Sequence, residues 1–368
     1  MSYPSCARLW PAALWHASPF SRPIRQMRLF ISNSKHATKA DIVLVLSLCA
    51  FFCAAVEFTT AHFFGRISRI EKRRESEYHA ALAIHAASAG PHKPVILVAG
   101  NSLLLQGVNF PQLQQEVGPQ IELHRSVFEN TFYFDWYYGL RRMFRAGARP
   151  NIVALVLSPG QLTSNAIDGD YSALMMVDHK DLLRFANDIG ADHNRMSVLA
   201  LDNVSYFFGA RAEIRSWILG KLLPDLPVLT SHFHYKGSAP ETSTMEEIAS
   251  QRLSQLRRLG QRYGVNLILV LPPSIQDEGT SAVLKSASSL GMSVLDPISP
   301  GSLPAADYSD GFHLNAQGAF RFTPALAATL RGFVLRGAAL NVEARLHPRT
   351  PVPRLSQQAM SAANPSQP

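Results

Sequence analysis

The chain has 368 residues, 47% of them apolar, and a formal net charge of +8. The basic excess sits at the two ends: residues 1–85 hold 11 Lys/Arg against 5 Asp/Glu, residues 336–368 hold four against one, and 86–335 are close to neutral. A neutral globular region has no electrostatic footprint for DNA or RNA, and with all three cysteines (Cys6, Cys49, Cys53) at or before position 53 it supports neither a disulfide framework nor Cys-ligated zinc.

Residues 1–40 contain Pro, Ser and Arg with no sustained period and are expected to lack order. The run "DIVLVLSLCAFFCAAVEFTTAHFF", 41–64, is about bilayer length, roughly 20 residues, and predicts one uncleaved transmembrane helix. A cleavable signal peptide is the competing reading; about forty residues ahead of the run and the lack of an A-x-A site after it count against that. A start at Met27 instead of Met1 leaves a more ordinary basic leader. Arg22, Arg25, Arg28, Lys35 and Lys39 lie before the span and Arg66, Arg69, Lys72, Arg73 and Arg74 after it, so charge leaves the orientation open. Residues 65–92 are charged, Ala-rich and closed by Gly90 and Pro91, and read as a helical stalk between membrane and domain.

From Lys93 the pattern changes to short apolar runs separated by helical stretches, which predicts βαβ units and a parallel sheet. The runs are "VILVA" (95–99), "IVALVLS" (152–158), "NLILVLP" (266–272) and "SVLD" (293–296), with a weaker "IELHRSVF" (121–128). Helices are expected at 111–117, 135–147, 246–263 and 279–290. In 245–264, Ile248, Leu253, Leu256 and Leu259 point inward and Arg257, Arg258 and Arg262 form a solvated face. Residues 161–240 form a mainly helical insertion, placed to roof a site at the C-terminal edge of the sheet. The tail 336–368 turns Pro-, Ser- and Gln-rich and is expected to be disordered.

Two stretches carry chemistry. In "PVILVAGNSLLLQGV" a buried strand stops at Ala99-Gly100-Asn101-Ser102 and passes into a helix. Ser102 is placed to cap that helix and to stand exposed as a nucleophile beside free N–H groups. In "YSDGFHLNAQG", Asp310 lies three residues before His313 on a loop broken by Gly311, so the carboxylate can hold Nδ1–H while Nε2 points away. A turn Asp followed by a surface His is the plain alternative for that pair alone.

These two blocks, near the start and end of 93–335, resemble the first and last blocks of the SGNH (GDSL-like) hydrolase superfamily, and the intervening strand runs fall in that family's order. The likeness is closest to membrane-anchored envelope members, such as the D-alanylation proteins of teichoic acid and the alginate O-acetyltransferase relatives. The resemblance implies an α/β, flavodoxin-like three-layer sandwich with a central parallel sheet and a helical insertion, preceded by one transmembrane helix. It implies Ser102 as nucleophile, His313 as general base, Asp310 as its orienter, and the Ser102 backbone N–H as an oxyanion donor. The implied protein is a serine esterase or O-acyltransferase of an envelope polysaccharide or lipid ester. It is held by a single pass in the inner (cytoplasmic) membrane, has its catalytic domain outside the cytoplasm, and needs no cofactor or nucleic acid. Three positions depart from the family. Asn101 stands where Asp is usual, the glycine of the second block is missing from "SVFENTFYFDWYYG", and the Asn of the third block is missing from "LSPGQL". Asn130, Gly160 and Gln161 are the substitute oxyanion or substrate-binding residues. Losing one such donor costs about 3 kcal/mol of transition-state stabilisation.

Other readings compete. A catalytically inactive scaffold or acyl-binding partner of the same fold accommodates an incomplete oxyanion set. His232 and His234, with His193 or Asp192, are candidate metal ligands without a well-spaced third, so no metal site is expected. The aromatic run 132–144 reads as helical core, and Arg141 and Arg142 as a solvated face rather than an anion site. No Gly-Lys-Ser/Thr follows Gly100 to make a phosphate loop.

Overall fold

The computed structural model of the protein describes residues 39–84, 93–223 and 242–346. The chain divides into two compact units, 1–52 and 53–368. One helix, Lys39–Phe64, is long and apolar enough to cross a membrane.

The larger unit is an α/β domain around a sheet of five parallel strands: β1 (Val95–Gly100), β2 (Glu122–Val127), β3 (Ile152–Val156), β4 (Asn266–Val270) and β5 (Val294–Leu295). Their spatial order is β2-β1-β3-β4-β5, all neighbours parallel. The central strands are apolar, apart from Asn266 at the exposed start of β4, because both faces are covered. Ile96 and Val98 of β1, Ala154 and Val156 of β3 and Ile268 and Val270 of β4 pack on one side, with Leu104, Leu113, Phe322 and Leu326. Leu97, Ala99, Leu155 and Leu269 pack on the other, with Trp136, Leu140, Leu253 and Val283. The aromatic run lies in the helix Tyr133–Arg145 and is core: Tyr133, Trp136 and Tyr138 are almost fully buried.

Several expectations need correction. Of the expected stalk 65–92, the described part, 65–84, is packed on the domain. The helix Arg69–Leu82 lies along the outer edge of β2: Glu77 accepts from the Val127 N–H (2.8 Å) and Arg73 donates to the Val127 carbonyl (3.1 Å), so its charges close a sheet edge that would otherwise be free. Ala81 and Ile84 join the core. The tail boundary also moves, because the last helix runs Ala316–Leu346 and the chain has no Pro between Pro324 and Pro348 to stop it earlier. Arg141 and Arg142 are neither solvated nor free: Arg141 pairs with buried Asp181 (2.7 Å), and Arg142 donates to the carbonyls of Leu174 (3.0 Å) and Met175 (2.8 Å). Up to residue 223 the stretch 161–240 contains helices including Leu182–Asp188, His193–Val204 and Arg211–Leu222. Residues 224–241, including His232 and His234, lie outside the described residues. Asp192 caps the helix His193–Val204, accepting from Arg195 N–H (2.7 Å).

Candidate active site

Parallel strands leave their C-terminal ends at one edge, and the β1 turn emerges there. Gly100 closes β1 against β3; a Cβ at this position would lie 2.9 Å from the Val156 carbonyl oxygen, so close strand packing requires glycine. Asn101 then caps the helix Ser102–Gly107, its Oδ1 accepting from the Leu103 N–H (3.1 Å). Ser102 is therefore the first helical residue and not the cap, which leaves its hydroxyl free of capping. Asn101 is fully buried, and its Nδ2 donates to the Thr131 carbonyl (2.8 Å), tying the β1 turn to the loop after β2. An ionised Asp here could not make that bond.

The second half of the site is a short loop closed by the Tyr308–Leu314 bridge, with Gly311 at its tip in a left-handed conformation (φ 81°). Asp310 organises it: Oδ1 accepts from the N–H groups of Phe312 (2.9 Å) and His313 (2.7 Å). Oδ2 lies 2.7 Å from His313 Nδ1. Partial burial opposes the Asp310 charge, but the His313 N–H, the His313 ring and the Phe312 N–H outweigh it and lower the carboxyl to about 2. The ionised carboxylate only accepts, so Nδ1 carries the proton it donates, and Nε2 in the neutral ring is an acceptor. That Nε2 stands 2.9 Å from Ser102 Oγ. Asn315 caps the following helix, accepting from Gly318 N–H (3.1 Å), and fixes the far side of the loop.

The structure therefore brings Ser102, His313 and Asp310 together in one hydrogen-bonded chain. The proposed oxyanion residues are placed differently. Asn130 lies in the loop bound to Asn101 and, among the described residues, is the non-glycine residue with positive φ (57°), a conformation Asn tolerates better than most. Its Nδ2 donates to Asp168 (2.9 Å). Gly160 and Gln161 lie in the short helix Pro159–Thr163 after β3. The Gln161 side-chain oxygen accepts from the Ser158 N–H (3.0 Å), and Ser158 Oγ accepts from the Gln161 N–H (3.2 Å). That capping box holds the Gln161 side-chain oxygen against its own helix.

Three residues at this edge escaped sequence reasoning. Burial pushes the Asp168 carboxyl up to about 8, a rise that Asn130 opposes and nearby Asp135 reinforces. Burial likewise lifts Asp135 to about 7 against hydrogen bonds from Ser172 and the N–H groups of Phe132 and Asp168. Arg252, on the inward face of the helix Thr242–Tyr263, donates to the carbonyls of Leu162 (2.6 Å) and Ser164 (2.7 Å) and holds the start of the insertion. The signal for it was present, as an Arg among Ala249, Leu253 and Leu256 at helical spacing. Compared with protein-family models and with curated proteins, the chain matches none.

Proposed function

We propose that this chain is a membrane-anchored serine esterase or O-acyltransferase of SGNH type, its domain a flavodoxin-like three-layer sandwich. The observation that carries the reading is the continuous chain from Ser102 Oγ through His313 to Asp310. Ser102 Oγ attacks the carbonyl carbon of an acyl ester while its proton passes to His313 Nε2. The oxyanion meets the Ser102 N–H, which as a first-turn group has no acceptor within its own helix. Collapse breaks the ester C–O bond, the alkoxide takes the proton from Nε2, and an acyl-Ser102 intermediate remains. Water or a sugar hydroxyl then attacks that carbonyl, giving its proton to Nε2, and Ser102 is released protonated. Water makes the protein an esterase; a hydroxyl of an envelope glycan or lipid makes it an acyltransferase. The apolar helix Lys39–Phe64 anchors it in the inner membrane, with the domain on the extracytoplasmic side.

Fluorophosphonate labelling of the full-length chain, beside Ser102→Ala and His313→Ala, tests this. Labelling of the parent that both substitutions remove is the expected result. A folded parent that does not label would instead favour the inactive scaffold, consistent with the Asn130 amide and the Gln161 backbone N–H having other partners.

A further inference from the structure

The end of the apolar helix is bonded to the insertion. The Glu57 carboxylate accepts from Ser205 Oγ (2.7 Å) and from the backbone N–H groups of Tyr206 (2.5 Å) and Phe207 (3.2 Å). Large apolar side chains flank this seam and stay exposed. Val204 is 76% exposed, and Phe207 and Phe208 on the insertion and Phe58 and Phe63 on the helix end are exposed as well. Contiguous exposed apolar surface marks an interaction site, and here it continues from the residues that close a segment of bilayer-spanning character.

The path of the chain says which edge of the domain this is. Near its start the helix Arg69–Leu82 binds the C-terminal end of β2, through Arg73 to the Val127 carbonyl and Arg74 to Glu129. Just beyond its end, the Ile84 carbonyl accepts from Arg149 N–H, ahead of the N-terminal end of β3. It thus runs antiparallel to the strands, and its start lies toward the edge that holds Ser102, where Arg74 also pairs with Glu213 of the insertion (3.3 Å).

We propose that Val204, Phe207 and Phe208, with Phe58 and Phe63, rest in the membrane interface, so that the Ser102 edge faces the bilayer and meets substrates held at its surface. The occupant of the patch is lipid. This rests on the anchoring proposed above.

The test uses the full-length chain in phosphatidylcholine–phosphatidylglycerol vesicles, with a nitroxide on one cysteine at a time. Val204→Cys, Phe207→Cys and Phe208→Cys are labelled in a background with Cys6, Cys49 and Cys53 changed to Ser. Ser288→Cys in the same background gives the aqueous reference, and Cys49 retained alone reports on the apolar helix. The expected result is preferential collision with oxygen over a polar nickel chelate at the three insertion labels and at Cys49, with the reverse at Ser288→Cys. A lipid-like Cys49 with three water-like insertion labels would overturn the docking and leave the anchor standing. Water-like labels everywhere would overturn the anchor and this inference together.

Discussion

His313 Nε2 meets Ser102 Oγ at 2.9 Å across 211 positions of sequence. The two residues sit at opposite ends of the domain's chain and at the same edge of its sheet. The base arrives already oriented, because Asp310 fixes the loop through two backbone N–H groups and the ring through a third bond.

Asp310→Asn should keep the loop and disable the base. The amide oxygen still accepts from Phe312 and His313 N–H, but its NH2 faces Nδ1, which favours the tautomer with the proton on Nε2. Acyl transfer should fall by about 10,000-fold, and the melting temperature should fall only by what the carboxylate charge contributes to the fold. In the parent the Asp310 charge stabilises the fold above about pH 4, and that contribution is lost as pH falls through about 2. An active Asp310→Asn variant would remove Asp310 from the mechanism.

Asn101→Asp restores the dipeptide usual in the resembling family and should be harmful here. It replaces the donor to Thr131 by a buried carboxylate facing a carbonyl oxygen, at a cost of about 3 kcal/mol. Chemical denaturation of the two proteins reads the difference directly. Equal midpoints would mean that the turn and the β2 loop are not coupled through this side chain.

Asp168 sets a pH dependence of opposite sign to that of Asp310. Its folded carboxyl titrates at about 8 against an ordinary 3.8, so between these values the folded chain holds a proton that the unfolded chain has lost. Stability from this group is therefore full below about pH 4 and declines as pH rises through about 8. Asp168→Asn, which cannot ionise, should flatten the fall in melting temperature between pH 5 and pH 9, while an unchanged slope would assign it to other groups.

Gly100→Ala probes the support beneath the nucleophile. The added methyl meets the Val156 carbonyl at 2.9 Å and the Leu104 Cβ at 3.1 Å, and a backbone atom cannot yield as a side-chain tip can. A loss of about 1–3 kcal/mol is expected from overpacking, together with slower labelling of Ser102 as the turn shifts. Labelling at the parent rate would place the strain away from the turn.

The sequence by itself determined what depends on neighbours in the chain. Runs with no polar alternation announced strands buried on both faces. An apolar stretch of bilayer length announced the helix Lys39–Phe64, and Asp310 three residues before His313 announced a local carboxylate–imidazole pair. Tertiary structure alone decided what depends on partners far away. The helix Arg69–Leu82 reads as solvated until Arg73 and Glu77 meet Val127, 54 and 50 positions on. Arg141 reads as a surface charge until Asp181 reaches it, and Asn130 as a free donor until Asp168 does. Charge and polarity in a sequence specify what a side chain can bond, while only the fold, by bringing a complementary group within about 3 Å, specifies what it does bond.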